Sequence, residues 1–245
     1  MSVTRRYRDA WDGFWREAPE GPGEVFWDAE PMLTAGRHLA HFEPYLVDPA
    51  LPLIDLGCGN GTQTRYLADR FPRVVGADLS DAALGHARRA DPEGRAGYRR
   101  LDAADPEQTG ALHAELGDAN VYLRAVLHQC EPGERRALAH GVAALLGERG
   151  RAFLVEPAES AGPLLMALVQ CPEGPPAKLA PVLGHGLIPG RLPDTALPAY
   201  LDEAGLAVVA GGRLPLVTTE YTADGIRLEL PSAWVIAGRP EPGAG

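Results

Sequence analysis

The sequence predicts an α/β protein: a mostly parallel sheet with helices wound on both faces. Three observations carry this reading. Between residues 51 and 157, short apolar runs alternate with helix-like stretches, the order in which crossover helices join parallel strands. The first run ends in a glycine-rich turn, "LIDLGCGNGTQT" (residues 53–64), just ahead of a helix. Two further runs also end in an acid, Asp78 and Asp102.

The elements follow in order. Residues 1–50 are partly helical and rich in aromatic side chains, holding three of the four tryptophans. Tyr7, Trp11 and Trp15 recur at helical spacing, which predicts a helix packed on the core. Phe26 and Trp27 fall in the loop "GPGEVFWDAEP" and are candidates for a cover over a ligand. "LPLID" is a first strand and "TQTRYLADRF" a first helix; "RVVGAD" and "SDAALGHARRA" repeat the pair, with Ser80 as N-cap. "YRRLD" and "PEQTGALHAEL" form the third pair, "ANVYLRAV" and residues 133–146 the fourth, and "GRAFLVEP" is a fifth strand. Residues 157–193 are rich in Pro and Gly around one helical stretch, "AGPLLMALVQ", and are expected to insert above the sheet. "LPDTALPAYLDEAG" resumes with a helix stopped by Gly205. "LAVVAGGRLPLVTTEYT" and "SAWVIAGR" predict a closing antiparallel pair. The expected organisation is one domain: a helical cover (1–50), a ligand-binding half (51–156), the insertion (157–193), a carboxyl half (194–238) and a tail (239–245).

Composition narrows the functions. The formal charge is −10 and the arginines are scattered, so no nucleic-acid partner is expected, since such surfaces cluster basic side chains. No run approaches the about 20 apolar residues of a membrane span, and the polar opening lacks the apolar core of a signal peptide, so the expected location is cytoplasmic and no membrane partner is expected. The three cysteines, Cys58, Cys130 and Cys171, are far apart and suggest neither a disulfide framework nor a zinc site. No His, Asp and Glu cluster has metal-ligand spacing.

The glycine turn is the informative motif. In an open parallel sheet, ligands bind beyond the carboxyl ends of the strands. Gly57, Cys58, Gly59, Asn60 and Gly61 lie there, where glycine permits positive φ and close backbone approach, and the next helix offers unpaired N–H groups. Asp78 is placed to accept both hydroxyls of a ribose, and Asp102 to reach an adenine amino group or to serve as a plain turn acid. Asp55 either holds the turn by hydrogen bonds or touches the ligand. Dinucleotide binding wants glycine at the sixth position of the run; Thr62 stands there instead. A carboxylate two residues ahead of the first glycine repels a pyrophosphate but suits a ligand carrying an ammonium and a sulfonium. Charge complementarity therefore favours S-adenosylmethionine over NAD.

"DLGCGNGTQT", "VVGADLS" and "RRLDAAD", in this order and spacing, resemble the first three motifs of class I S-adenosylmethionine-dependent methyltransferases. The resemblance covers about residues 50–156. It implies a Rossmann-like, seven-stranded sheet with an antiparallel last strand, and S-adenosylmethionine as cofactor. Carried over by position, it implies that Asp55 and Gly57 line the methionine part, with Cys58 and Asn60 in the same turn, that Gly59 and Gly61 permit close approach, that Asp78 holds the ribose, that Leu79 packs on adenine, that Asp102 and Ala103 frame the adenine edge, and that Leu123 and Arg124 pass beside the methionine moiety.

Methyl transfer from a sulfonium is an in-line displacement that needs alignment, exclusion of water and, for hydroxyl or thiol acceptors, a base. His128, just beyond the fourth strand in "YLRAVLHQC", is either that base or a turn histidine bonded to backbone. His185 in "HGLIPG" is placed by the insertion over the mouth, as a substrate-side candidate with Phe26 and Trp27. The other histidines are read as surface or packing residues. The aromatic opening and apolar insertion suggest a small, partly hydrophobic acceptor, and "LRAVLHQ" lacks the Pro-Pro-Tyr pattern of amino-methylating relatives. Monomer and homodimer remain open, as do donor binding without transfer (pericyclase-like or regulatory) and a nicotinamide-dependent oxidoreductase.

Overall fold

The computed structural model describes residues 3–240 except 173, 189 and 223, with the side chains of 3–6 also outside the description. Most of the expected tail, 241–245, lies outside it too. The elements are α1 (Val3–Glu17), α2 (Ala35–Phe42), β1 (Leu53–Leu56), α3 (Thr62–Ala68), β2 (Val74–Asp78), α4 (Asp81–Ala90), β3 (Gly97–Arg100), α5 (Pro106–Leu116), β4 (Asn120–Arg124), α6 (Pro132–Leu146), β5 (Arg151–Pro157), α7 (Ala161–Val169), α8 (Ala180–Gly184), α9 (Ala196–Glu203), β6 (Ala207–Tyr221) and β7 (Arg227–Gly238).

The described residues form a seven-stranded sheet in the order β3-β2-β1-β4-β5-β7-β6. β1 to β5 pair parallel, while β7 runs antiparallel to both β5 and β6. β1 is buried along its whole length, as a central strand covered on both faces must be. Strand order reverses between β1 and β4, the place where a doubly wound sheet opens a crevice at its carboxyl edge.

Register sets the rim of that crevice. Leu56 pairs with Ala77 and with Leu123, so the next residues, Gly57, Asp78 and Arg124, emerge side by side. Arg124 pairs with Val155, which brings Glu156 beside Ala125. Ala125 is the described non-glycine residue with positive φ, at 58°, a conformation costing an L-residue about 1–2 kcal/mol; it turns the chain sharply after β4.

Local signals behave as their chemistry requires. The Ser80 hydroxyl accepts from the Ala83 amide at 3.1 Å and caps α4. Asp105 accepts from the Glu107 and Gln108 amides and caps α5. Gly205, at φ 75°, ends α9. Two outcomes differ from the sequence expectation. The insertion carries a second short helix, α8, where Val182 is buried, with Leu179 buried just ahead of it. β7 starts before "SAWVIAG", at Arg227, because its pairing with β6 continues through Leu230 and Glu229.

The aromatic opening packs over the sheet edge. Phe14, Trp15 and Phe26 are buried in one apolar cluster with Phe42, Tyr122 and Phe153. Trp27 makes edge-on or tilted ring contacts with Trp11, Phe14 and Trp15 at 5.4, 5.5 and 6.1 Å. Asp12 reaches across to α4, where it accepts from the Ser80 hydroxyl at 2.9 Å and the Ala82 amide at 3.0 Å. These bonds hold its carboxyl below the usual range against the opposing effect of burial.

Candidate active site

A cavity of about 190 Å³ lies at the crevice, walled by α1, the 26–28 loop, the glycine turn, the ends of β2 and β4, and the insertion. Of the residues singled out from the sequence, Asp55, Gly57, Cys58, Gly59, Asn60, Asp78, Leu79, Asp102, Ala103, Arg124, His128, Phe26 and Trp27 line it. Gly61, Leu123 and His185 stand off its wall, each for a physical reason. Gly61 starts α3, and a Cβ there would meet Ala87 and Tyr98 behind the turn. Strand alternation sends Tyr122 and Arg124 to the cavity face and Leu123 into the opposite core. His185 packs on the flank of α1, with Nε2 3.1 Å from Glu17 and its ring edge-on to Phe14.

At one end is the glycine turn. Gly57, Gly59 and Gly61 all have positive φ, at 77°, 55° and 73°. Their missing side chains also make room for the protein itself. A Cβ on Gly59 would come within 2.9 Å of the Trp15 ring, and one on Gly57 within 2.4 Å of the Val126 side chain. Asp78 accepts from the Gly59 amide through Oδ2 and from the Ser80 amide through Oδ1, both at 2.9 Å. Each oxygen keeps a lone pair for a further donor. Asn60 Nδ2 donates to Asp28 Oδ2 at 2.9 Å, tying the turn to the aromatic loop. Asp102 Oδ1 accepts from the Ala104 amide at 3.0 Å and shapes its own turn.

Asp55 is buried below the turn and accepts from the Thr64 hydroxyl at 2.5 Å. It thus holds α3 rather than loop amides. Burial pushes its carboxyl up to about 6, against the Thr64 bond and the nearby Arg124 guanidinium. Burial raises Asp78 as well, opposed by its backbone bonds. Two adjacent acids, Asp55 buried and Asp78 half-buried, that both resist ionisation make a site that a cationic ligand would relieve. Arg124 lies on the wall, and its Nη2 donates to the Trp27 carbonyl at 2.5 Å.

At the other end, His128 is buried and its Nδ1 lies 2.7 Å from Glu156 Oε2. The same carboxylate accepts from the amides of Val126, Leu127 and His128 at 2.9, 2.7 and 3.2 Å. A carboxylate only accepts, so the bond places a proton on Nδ1, and in the neutral ring the lone pair is then on Nε2. Gln129 Nε2 sits 2.8 Å from that Nε2 and donates to it. Sequence reasoning puts Glu156 on the rim at the end of the fifth strand, as a weaker polar candidate than His128, but does not reach its bond to His128. His38, read from the sequence as a surface or packing residue, is a buried packing residue against Tyr122 and Phe153. Its Nδ1 lies 2.7 Å from Tyr122 Oη, and burial holds the ring down to about 3. Among the described residues no group of His, Cys, Asp and Glu could hold a metal ion.

Fold and site together define a doubly wound α/β protein with a ligand-sized crevice at the glycine turn, lined also by His128. Residues 53–150 match the methyltransferase domain family model. An uncharacterized methyltransferase of Synechocystis is 30% identical over 186 residues, which cover 74% of this chain and 80% of that protein. A crystal structure of a SAM-dependent methyltransferase from Anabaena variabilis superposes with a TM-score of 0.88 at 30% identity, covering 98% of this chain and 96% of that one. A trans-aconitate 2-methyltransferase of Variovorax paradoxus is 50% identical, but over only 48 residues, 19% of this chain and 18% of that protein. The chain belongs to the class I S-adenosylmethionine-dependent methyltransferases, and S-adenosylmethionine is its cofactor.

Proposed function

We propose that the protein transfers a methyl group from S-adenosylmethionine to a small, partly hydrophobic molecule at an oxygen, nitrogen or carbon centre, with His128 as the base where the acceptor must lose a proton. The observation that carries this reading is one cavity lined both by the glycine turn with Asp78 and by His128, whose ring is bonded to Glu156. Asp78 would hold the ribose hydroxyls with its two free lone pairs. Leu79, Asp102 and Ala103 would line the adenine, and Asp55 and Arg124 would flank the methionine part. Phe26 and Trp27 would exclude water from the transfer.

When bound, the cofactor supplies a methyl group on a positively charged sulfur. His128 Nε2 would take the acceptor's proton, and Glu156 would hold the ring in place and balance the charge formed. The acceptor must first displace the Gln129 amide from Nε2. That cover also favours a second reading, in which the donor binds without transfer in a pericyclase-like or regulatory protein. We further read the chain as one methyltransferase unit with a small-molecule acceptor and no nucleic-acid partner. Among the described residues no helix is long and apolar enough to cross a membrane.

The test is calorimetry with S-adenosylhomocysteine on the wild type and Asp78→Ala, followed by product detection with an acceptor panel. Losing two charged hydrogen bonds at about 1.5–3 kcal/mol each should weaken binding by Asp78→Ala more than a hundredfold. His128→Ala should bind normally and turn over at least about a hundredfold more slowly. Absence of heat in the wild type would end the reading; binding with no product from any acceptor would favour the second.

A further inference from the structure

Among the described residues, two buried side-chain polar atoms have no hydrogen-bond partner, the Tyr7 hydroxyl and Gln129 Oε1. Both residues line the cavity described above. Both belong to its His128 end: Gln129 is bonded to the His128 ring, and the Tyr7 hydroxyl lies within electrostatic reach of Cys130, Glu134 and Glu156. Leaving such an atom unpaired is costly, and folded proteins rarely do so. Two at one end of one cavity point to a group that arrives with the ligand.

The chemistry of the two atoms specifies that group. The Tyr7 hydroxyl has an O–H to donate and no acceptor for it. Gln129 turns its N–H toward His128 because Nε2 there is a lone pair, which leaves Oε1 as the free acceptor. A hydroxyl meets both needs, since its oxygen accepts from Tyr7 while its hydrogen goes to Gln129. Charge restricts the rest of the molecule. Besides Asp55 and Asp78, whose carboxyls resist ionisation, the cavity wall carries Asp28, Asp102 and Glu134 against Arg124, and that arginine is engaged with the Trp27 carbonyl. An anionic acceptor would meet repulsion without a dedicated cation. The cavity wall also includes apolar side chains, Leu138, Leu165, Val182 and Leu216 among them.

We propose that Tyr7 and Gln129 are specificity-determining residues that select an uncharged, hydroxyl-bearing, otherwise apolar acceptor of the phenol class. This deepens the methyltransferase reading and rests on it. It sets this chain apart from an enzyme for a polycarboxylate.

The experiment measures quenching of tryptophan fluorescence with S-adenosylhomocysteine present, at neutral pH. Three probes of similar shape are compared: 2-naphthol, 2-methoxynaphthalene, which cannot donate, and 6-hydroxy-2-naphthoate, which adds a charge. The expected result is at least tenfold tighter binding of 2-naphthol than of either other probe. Tyr7→Phe and Gln129→Leu should each erase most of that preference. Tyr7→Phe should also raise the melting temperature of the ligand-free protein, because it removes an unpaired buried hydroxyl; a merely structural tyrosine would lower it. Equal binding of the three probes, failure of all to bind, or a destabilised Tyr7→Phe overturns the proposal. In each of those cases retained binding of S-adenosylhomocysteine leaves the methyltransferase reading standing, whereas its loss in the wild type brings down both.

Discussion

Glu156→Gln replaces one oxygen by an NH2 group and leaves the shape unchanged, yet it should reverse the polarity of the whole His128 end. In the wild type Oε1 accepts from the Val126 and Leu127 amides, and Oε2 accepts from the His128 amide and ring. The variant's oxygen can serve only one of these pairs. If it stays on Val126 and Leu127, its NH2 faces two donors at His128. The ring can escape by moving its proton to Nε2, which then requires Gln129 to turn its oxygen toward it. The His128 backbone N–H cannot escape and is left unpaired. An orphaned buried donor costs about 1–3 kcal/mol, and loss of charge assistance about 1 kcal/mol more. The sum, about 2–4 kcal/mol, corresponds to a fall in Tm of roughly 4–16 °C for a chain of this size. With Nε2 protonated, His128 cannot accept a proton, so kcat should fall by about 10²–10⁴. Binding of S-adenosylhomocysteine should hold, because the glycine turn is untouched. The assays are thermal unfolding, calorimetry and kcat across pH on an acceptor found by screening. Unchanged kcat with the expected loss of stability would refute His128 as a base and leave Glu156 as a clasp on the β4 turn alone.

Other outcomes follow from the donor end. Gly59→Ala should cost about 1–2 kcal/mol for a left-handed alanine, and its Cβ would press on the Trp15 ring; urea unfolding and S-adenosylhomocysteine affinity should both weaken, and a neutral result would mean that α1 does not rest on the turn. Asp55 is raised from its ordinary value to about 6 in the folded protein, so the folded state holds the proton longer than the unfolded one and stability drains away as pH rises from about 4 to 6. Asp55→Asn removes that loss, and its stability relative to wild type should climb by up to about 3 kcal/mol across this interval and stay level above it. A constant difference from pH 4 to 7 would contradict the burial of Asp55.

Much of this architecture could be read along the chain because its signals are local. "LIDLGCGNGTQT" contains its own strand, turn and helix start. Ser80 caps the helix that it immediately precedes, and Gly205 ends the helix just before it. The contacts that organise the site are instead distant in sequence. Glu156 reaches His128 because Arg124 pairs with Val155, and no pattern within either segment records that register. Asp12 meets Ser80 only after α1 has packed on α4. The glycines were legible as a turn, but which neighbour fills the space above each one depended on tertiary packing. Leu123 shows the same limit at one residue: its place at the end of β4 was clear, while strand alternation put its side chain on the far face.

The anchoring of α1 has a practical result. Trp15 lies on Gly59 and Asp12 clasps the first turn of α4, so the opening residues are masonry of the binding chamber. Trimming them to tidy a recombinant product, or fusing a bulky affinity handle ahead of them, would breach that chamber, and such preparations would understate the protein's hold on its donor.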